Sequence, residues 1–338
     1  MADIIRRVFA FRTWLALSAG VLPAALVIIF AFLIYYAWPA IGFNGLDFVI
    51  KSAWDPGDSY ANPVLQHGVL APPGASFSIL FLIVGTLLTV GLAILIAYPI
   101  GVAAAVFLAE IVPNAIRSFV SFFVELLAAV PSVVFGLWGI GVISAFPDKD
   151  GVTAFQHLCS WIVTTPPFSW VPFVGGDPGN GYSLLSAGVV LSFMIVPLIT
   201  STVRDALIAQ PAAMREASVA LGARRFETIR KVLLPSVRGV TIGSTILATG
   251  RALGETMAVL MVCGNALGTL PKNIFGSIST MASFIASQLD SAGADTSGLV
   301  VKSLAEIAIV LGLMSLIVNT SARVLLSLSG AGQMRDRP

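Results

Sequence analysis

In the stretch "ATGRALGETMAVLMV", residues 248 to 262, Arg251 and Glu255 stand in the middle of a run otherwise oily enough for lipid. An arginine or aspartate at the centre of a membrane helix costs roughly 2.5–3.5 kcal/mol on insertion scales, so something must compensate. On one continuous helix Glu255 lies four residues beyond Arg251, on the same face, and can neutralise the guanidinium across a turn. Arginine before glutamate is the poorer order for such a pair, and a purely structural pair could give way to apolar residues at little cost. The residues therefore suggest binding: a guanidinium stays charged at any physiological pH, and its planar fork offers paired donors to an oxyanion. Gly250 and Gly254, with Ala258, form a strip of small residues beside the charges that lets another helix approach.

Other candidates are fewer. Glu125 is a second embedded carboxylate, read either as partner of a basic group on an adjacent helix, Arg251 included, or as part of a polar path. Pro131 and Ser132 follow in "AAVPSVV", where proline frees a backbone carbonyl and the hydroxyl can face a wet pore; a plain kink explains them as well. Lys302 and Glu306 repeat the four-residue spacing and read as a snorkelling interfacial pair. His67 and His157 have no clustered ligands, so no metal site is expected. Cys159 and Cys263 leave a disulfide open, since nothing in the sequence sets their separation. No serine nucleophile motif, zinc pair or cofactor fingerprint supports a membrane-embedded enzyme using Glu125, Glu255 and Arg251.

These residues must be carried by membrane helices. Of 338 residues 57% are hydrophobic and only 11% charged, which excludes an ordinary soluble domain. Stretches at about 14–37, 77–109, 117–146, 183–206, 239–264 and 298–327 are each long enough to cross a bilayer. The fold class expected is therefore an all-α integral membrane protein of six transmembrane helices. "RRVFAF" loosely resembles a twin-arginine signal, but the apolar run behind it is too long for a signal core, and the first helix is expected to be retained.

Placing the N-terminus in the cytoplasm puts Arg6, Arg7, Arg12, Arg117, Arg204, Arg215, Arg224, Arg225, Arg230, Lys231, Arg238, Arg323, Arg335 and Arg337 inside. Only Lys51, Lys149 and Lys272 fall in outer loops, the asymmetry the positive-inside rule requires, so both termini are inside. Residues 1–76 read as cytoplasmic N-terminus, first helix and outer segment, 77–327 as the core, and 328–338 as a cytoplasmic tail.

The inner stretch 204–238 is not an ordinary loop. Its seven basic and three acidic residues could hold it near anionic lipid, yet "QPAAMREASVALGARRFETIRKVLLP" also reads as a helix opened by Pro211, a turn at Gly222 and a second helix ending at Pro235. Glu216, Ala217, Ser218, then Gly222, then Val232, Leu234 and Pro235 resemble the loop signature of ATP-binding-cassette importer permeases: Glu-Ala-Ala, three residues, Gly, nine residues, Ile, one residue, Leu-Pro. Ser218 and Val232 are the two departures. Within that family, "FLIVGTLLTVGLAILIAYPIGVAAAVFLAE" (81–110), "ELLAAVPSVVFGLWG" (125–139) and "GRALGETMAVLMVCGN" (250–265) resemble the PstC-type subunits of phosphate-specific importers, over roughly residues 77 to 327.

The resemblance implies a type I importer (MetI-like) permease fold with a cytoplasmic coupling helix around Glu216. It implies pairing with a PstA-like permease, two PstB-like ATPases inside and a PstS-like phosphate-binding protein outside. None of the five lysines follows a glycine, so the chain carries no phosphate-cradling loop of its own. No cofactor is expected in this chain; ATP and Mg belong to the partner ATPase. The expected function is passage of inorganic phosphate by alternating access, with Arg251, Glu255, Glu125 and Ser132 along the substrate path. A permease for sulfate or molybdate, and an ATP-independent anion channel, are the competing readings.

Overall fold

The computed structural model describes residues 2–58, 61–143, 153–166, 173–174 and 179–328. Lys149 and most of the tail expected at 328–338 lie outside them.

Helix α1 (Ala2–Asn44) is apolar from Leu17 onward and exposed over most of that stretch, as a lipid-facing helix should be, with Ala37, Ala40 and Phe43 buried near its end. Helix α2 (Leu80–Val106) continues through a π-helical turn at Phe107–Ile111, so the expected second span is one element. The expected third span is not. It divides into α3 (Asn114–Ala129) and α4 (Ser132–Ile143), bent by 93° at Val130 and Pro131. Proline disfavours helical backbone at the residue before it, and Val130 is accordingly extended (φ −63, ψ 131).

Helix α5 (Leu184–Ile208), capped by the Ser183 side chain, is the most deeply buried span and packs along α2. A Cβ on Gly101 would stand 3.0 Å from Ile199, so the two backbones approach closely. On the inner side follow α6 (Ala212–Ala220), a short helical turn Arg225–Thr228, a π-helical turn Ile229–Leu233 and the turn Leu234–Ser236. The helix, turn and second helix expected between 204 and 238 are thus present.

The fifth expected span, read as one helix over 239–264, is also broken. Helix α7 (Arg238–Leu253) stops at Gly254, and α8 (Met257–Val262) begins three residues later. Glycine and β-branched Thr256 are poor helix interior residues, and neither holds the helix through. Helix α9 (Leu299–Leu328) completes the set. Among the described residues four helices are long and apolar enough to cross a membrane, or six elements if each bent pair, 115–143 and 225–253, counts as one span.

The segment between α1 and α2 forms two small ladders. Trp54–Asp55 pairs with Ser76–Phe77 and Val64–Gln66 with Val69–Ala71, both antiparallel. Two buried apolar clusters hold the helices. One joins α2, α5, α7 and α8; the other joins the end of α1, the small ladders and the outer half of α9, around Phe48, Phe81 and Phe284.

Candidate functional site: an open arginine beside two helix breaks

Helix α7 has two faces. Thr241, Ser244, Ala248 and Ala252 are buried, while Val240, Leu247, Arg251 and Gly254 are exposed at helical spacing. Arg251 therefore lies on the uncovered face, in the last turn before the break, about 20 Å from the inner end of α7. Among the described residues it makes no hydrogen bond or ion pair. The expected pairing with Glu255 fails because the helix ends between them, so a four-residue spacing no longer stacks one side chain over the other. Glu255 turns to the next helix instead: its Oε1 accepts from the Ala258 N–H at 3.4 Å.

The two breaks are neighbours. A Cβ on Gly136 would come 3.1 Å from Ala258 Cα, and one on Gly139 would come 2.9 Å from Val262. These contacts climb α4 and α8 together, so the two short helices run parallel with both beginnings at one end. That places Ser132, in the first turn of the twelve-residue α4, at the level of Glu255 and just beyond Arg251. The free N–H groups and dipole of such a helix start favour negative charge.

Gly250 serves the packing expected of it: a Cβ there would stand 3.3 Å from the Asn319 side chain on α9. Gly254 meets no neighbouring helix among the described residues and is open.

Glu125 is an ion-pair partner, but of Arg204 and not of Arg251. Arg204 Nη2 donates to Glu125 Oε1 at 2.9 Å and to Asp205 Oδ1 at 2.6 Å. The guanidinium is buried (7% exposed) while both carboxylates reach solvent. Lys302 and Glu306 do not pair either; Glu306 accepts from Asn44 Nδ2 at 2.8 Å, joining α9 to the end of α1. Cys159 and Cys263 are free thiols, both buried.

On the inner side, α6 closes at Gly222, whose φ of +81 is a conformation that suits glycine. The Gly222 and Ala223 N–H groups return to the Val219 and Ser218 carbonyls. Ser218, a departure from the family signature, has a structural partner: its hydroxyl meets that of Thr228 at 2.9 Å, buried, across the turn. Glu216 and Ala217 are exposed, with Val219, Leu221 (89% exposed) and Phe226 beside them. Glu227 is held below the usual carboxylate range by a hydrogen bond from the Arg224 N–H and then by Lys231. Leu234 and Pro235 form the turn that leads into α7.

One tie on this side escapes sequence reasoning. Arg215 binds Glu110 at 2.7 Å, although Glu110 closes the quoted "FLAE" and is a visible acidic residue at the end of an apolar run.

The sequence matches the family described as the binding-protein-dependent transport system inner membrane component over residues 97–331. Over 311 residues it is 41% identical to phosphate transport system permease protein PstC 1 of Mycobacterium tuberculosis, covering 92% of this chain and 90% of that one. The chain belongs to this family of permeases. The PstC of Haemophilus influenzae is 33% identical over 318 residues, covering 94% and 92%. Among solved structures, a chain of the inward-facing MetNI methionine transporter matches with TM-score 0.47 at 16% identity, covering 74% of this chain and 93% of that one. A bacterial alginate importer matches with 0.48 at 17%, covering 92% and 98%. Both are distant likenesses of helix arrangement alone. As a member of the family, the chain is an integral, multi-pass inner-membrane permease, a transport component with no catalytic role of its own and no cofactor.

Proposed function

We propose that this chain is the transmembrane permease subunit of an ATP-driven importer of inorganic phosphate. The observation that carries the site is the unpaired Arg251 on the open face of α7, beside the start of α4 at Ser132. A guanidinium left without a counter-ion in an apolar setting invites an anion, and the start of α4 at its level favours the same charge, whereas the start of α8 is already met by Glu255. Binding there is loose by design, because a tight site within a path would trap the ion.

Alternating access follows from the arrangement of partners. The chain pairs with a PstA-like permease, the exposed face of α7 and the exposed Phe119, Phe122 and Phe123 of α3 being surfaces left uncovered for it. Two PstB-like ATPases bind inside, one of them gripping the exposed Glu216 and Ala217 on the loop that Ser218 and Gly222 hold in shape, with Leu234 and Pro235 turning the chain back into the membrane. ATP closes the ATPases, the loop moves, and the helices open outward to take phosphate from a PstS-like binding protein. Residues 77–327 form the working core, while 1–76 form an appendage, with both termini and the tail 328–338 in the cytoplasm of a bacterial cell.

The test is uptake of radiolabelled phosphate by the complex reconstituted in proteoliposomes, with unlabelled anions in competition. Phosphate must compete and sulfate and molybdate must not; competition by either of these instead assigns the path to another oxyanion. Uptake that persists without ATP would make the chain a channel.

A further inference from the structure

We propose that Arg215 and Glu110 form the strut that carries ATPase-driven movement of α6 into the membrane, and that the helices it drives are the packed pair α2 and α5. The inference rests on the coupling reading of the Glu216 loop and adds the route by which force leaves that loop.

Arg215 reaches three residues at the ends of two helices. Its Nη2 donates to Glu110 Oε1 at 2.7 Å and to the Leu207 carbonyl at 2.8 Å. Its Nη1 donates to the Gln210 carbonyl at 3.0 Å, and its Nε to Glu110 at 3.2 Å. The Leu207 and Gln210 carbonyls lie at and just past the end of α5, where carbonyls have spare accepting capacity; Leu207 also accepts from the Gln210 N–H at 3.3 Å. Glu110 lies in the π-helical turn that ends α2 and is only 12% exposed. One side chain of α6 thus ties the inner ends of α2 and α5 together.

The geometry suits transmission. Arg215 and Glu216 are adjacent, so the residue that faces the partner and the residue that grips the membrane helices occupy neighbouring positions on one short helix. Ser218 and Thr228 close the loop from the inside, which makes it a body that moves as a unit. Helices α2 and α5 in turn pack along their length, with the Thr200 hydroxyl donating to the Gly101 carbonyl at 3.2 Å. The π turn around Glu110 is a wider and less regular turn than the α-helix it ends, and such turns recur at functional positions.

A bidentate arginine-carboxylate pair is strong enough, and directional enough, to serve this purpose. Loss of the Glu110 charge leaves Arg215 bound to the two carbonyls of α5 but cuts the link to α2. The expected result is separation of hydrolysis from transport.

The experiment uses the full importer in proteoliposomes and measures ATPase capture, ATP hydrolysis and phosphate uptake together. Glu110→Gln is expected to retain the ATPase at the wild-type ratio and to keep hydrolysing ATP, while phosphate moved per ATP falls by about tenfold, within the usual range of inter-site coupling. A Glu110→Cys/Arg215→Cys pair is expected to behave likewise until a bifunctional thiol reagent of matching length joins the two positions and restores uptake per ATP; the native cysteines are buried. Unchanged uptake per ATP in Glu110→Gln overturns the strut. So does loss of the ATPase from that variant, which would mean that the bridge only keeps the loop folded. Failure of the unaltered chain to capture any ATPase would sink the coupling reading itself, a result distinct from either.

Discussion

Two arginines in apolar helices meet opposite fates in this molecule. Arg204 is buried on α5 and held by Glu125 and Asp205. Arg251 is exposed on α7 with no partner among the described residues. The first has its charge balanced within the chain and serves as structure. The second is balanced by nothing among the described residues, and an arginine so placed is expected to be completed from outside, by an anion or by a partner subunit's face. The difference teaches that the number of embedded charges says little until it is known which are satisfied.

The largest expected effect falls on the open arginine. Arg251→Gln should lower phosphate uptake by about 100-fold, the equivalent of losing one charge-assisted pair of hydrogen bonds worth about 3 kcal/mol. Assembly with the other subunits should be unchanged. Normal uptake in an assembled complex would remove Arg251 from the path.

At Arg204 the asymmetry of burial sets the direction. The carboxylates already face water, so Arg204→Met should shift thermal unfolding of the solubilised complex only slightly. Glu125→Gln with Asp205→Asn leaves the buried guanidinium uncompensated and should destabilise by about 3 kcal/mol, with no change in anion preference. Reversal of that order would mean that Arg204 is not the buried member. Altered anion preference in the double variant would bring Glu125 back into the path and erase the contrast with Arg251.

A smaller effect is expected at the inner turn. Gly222→Ala forces a side chain into the φ +81 conformation at a cost of about 1–2 kcal/mol and should weaken capture of the ATPase by roughly tenfold. Unchanged capture would show that the loop tolerates another closure.

The smallest concerns an acid whose partners, like those of Arg204, are all internal. Burial pushes the Asp295 carboxyl up, but hydrogen bonds from the Val300 N–H and from Ser297 outweigh it and leave the group below its usual range. Its contribution to stability is therefore complete above the ordinary aspartate pKa and lost as pH falls through the lowered value. Asp295→Asn should remove that acid-side loss and cost about 1 kcal/mol at neutral pH, because a neutral amide oxygen accepts these hydrogen bonds more weakly than a carboxylate. Thermal unfolding scanned from neutral to acid pH checks it.

Much of this contrast was legible in the residues, and the failures share one cause. Hydropathy finds every apolar stretch, because each holds enough apolar residues to cross lipid. Spacing finds the inner loop, because Glu216, Gly222 and Pro235 punctuate it. Every mistaken pairing came from treating a long apolar run as an unbroken helix or from pairing charges by sequence distance alone. Gly254 and Pro131 were both in view, one read as a packing residue and the other as a kink, and each in fact ends a helix. Glu125 and Arg204 are far apart in sequence and Glu110 and Arg215 likewise, so no local pattern joins them; only the packing of α3 on α5 and of α6 beneath α2 does.

The tie between Asn44 and Glu306 has a consequence for how the molecule is made. Helix α1 is synthesised well before α9, yet the surface that receives it belongs largely to α9. The earlier crossing must therefore wait in lipid, apolar and content there, until the later one arrives. A chain shortened at its far end should still enter the bilayer but leave its first helix adrift.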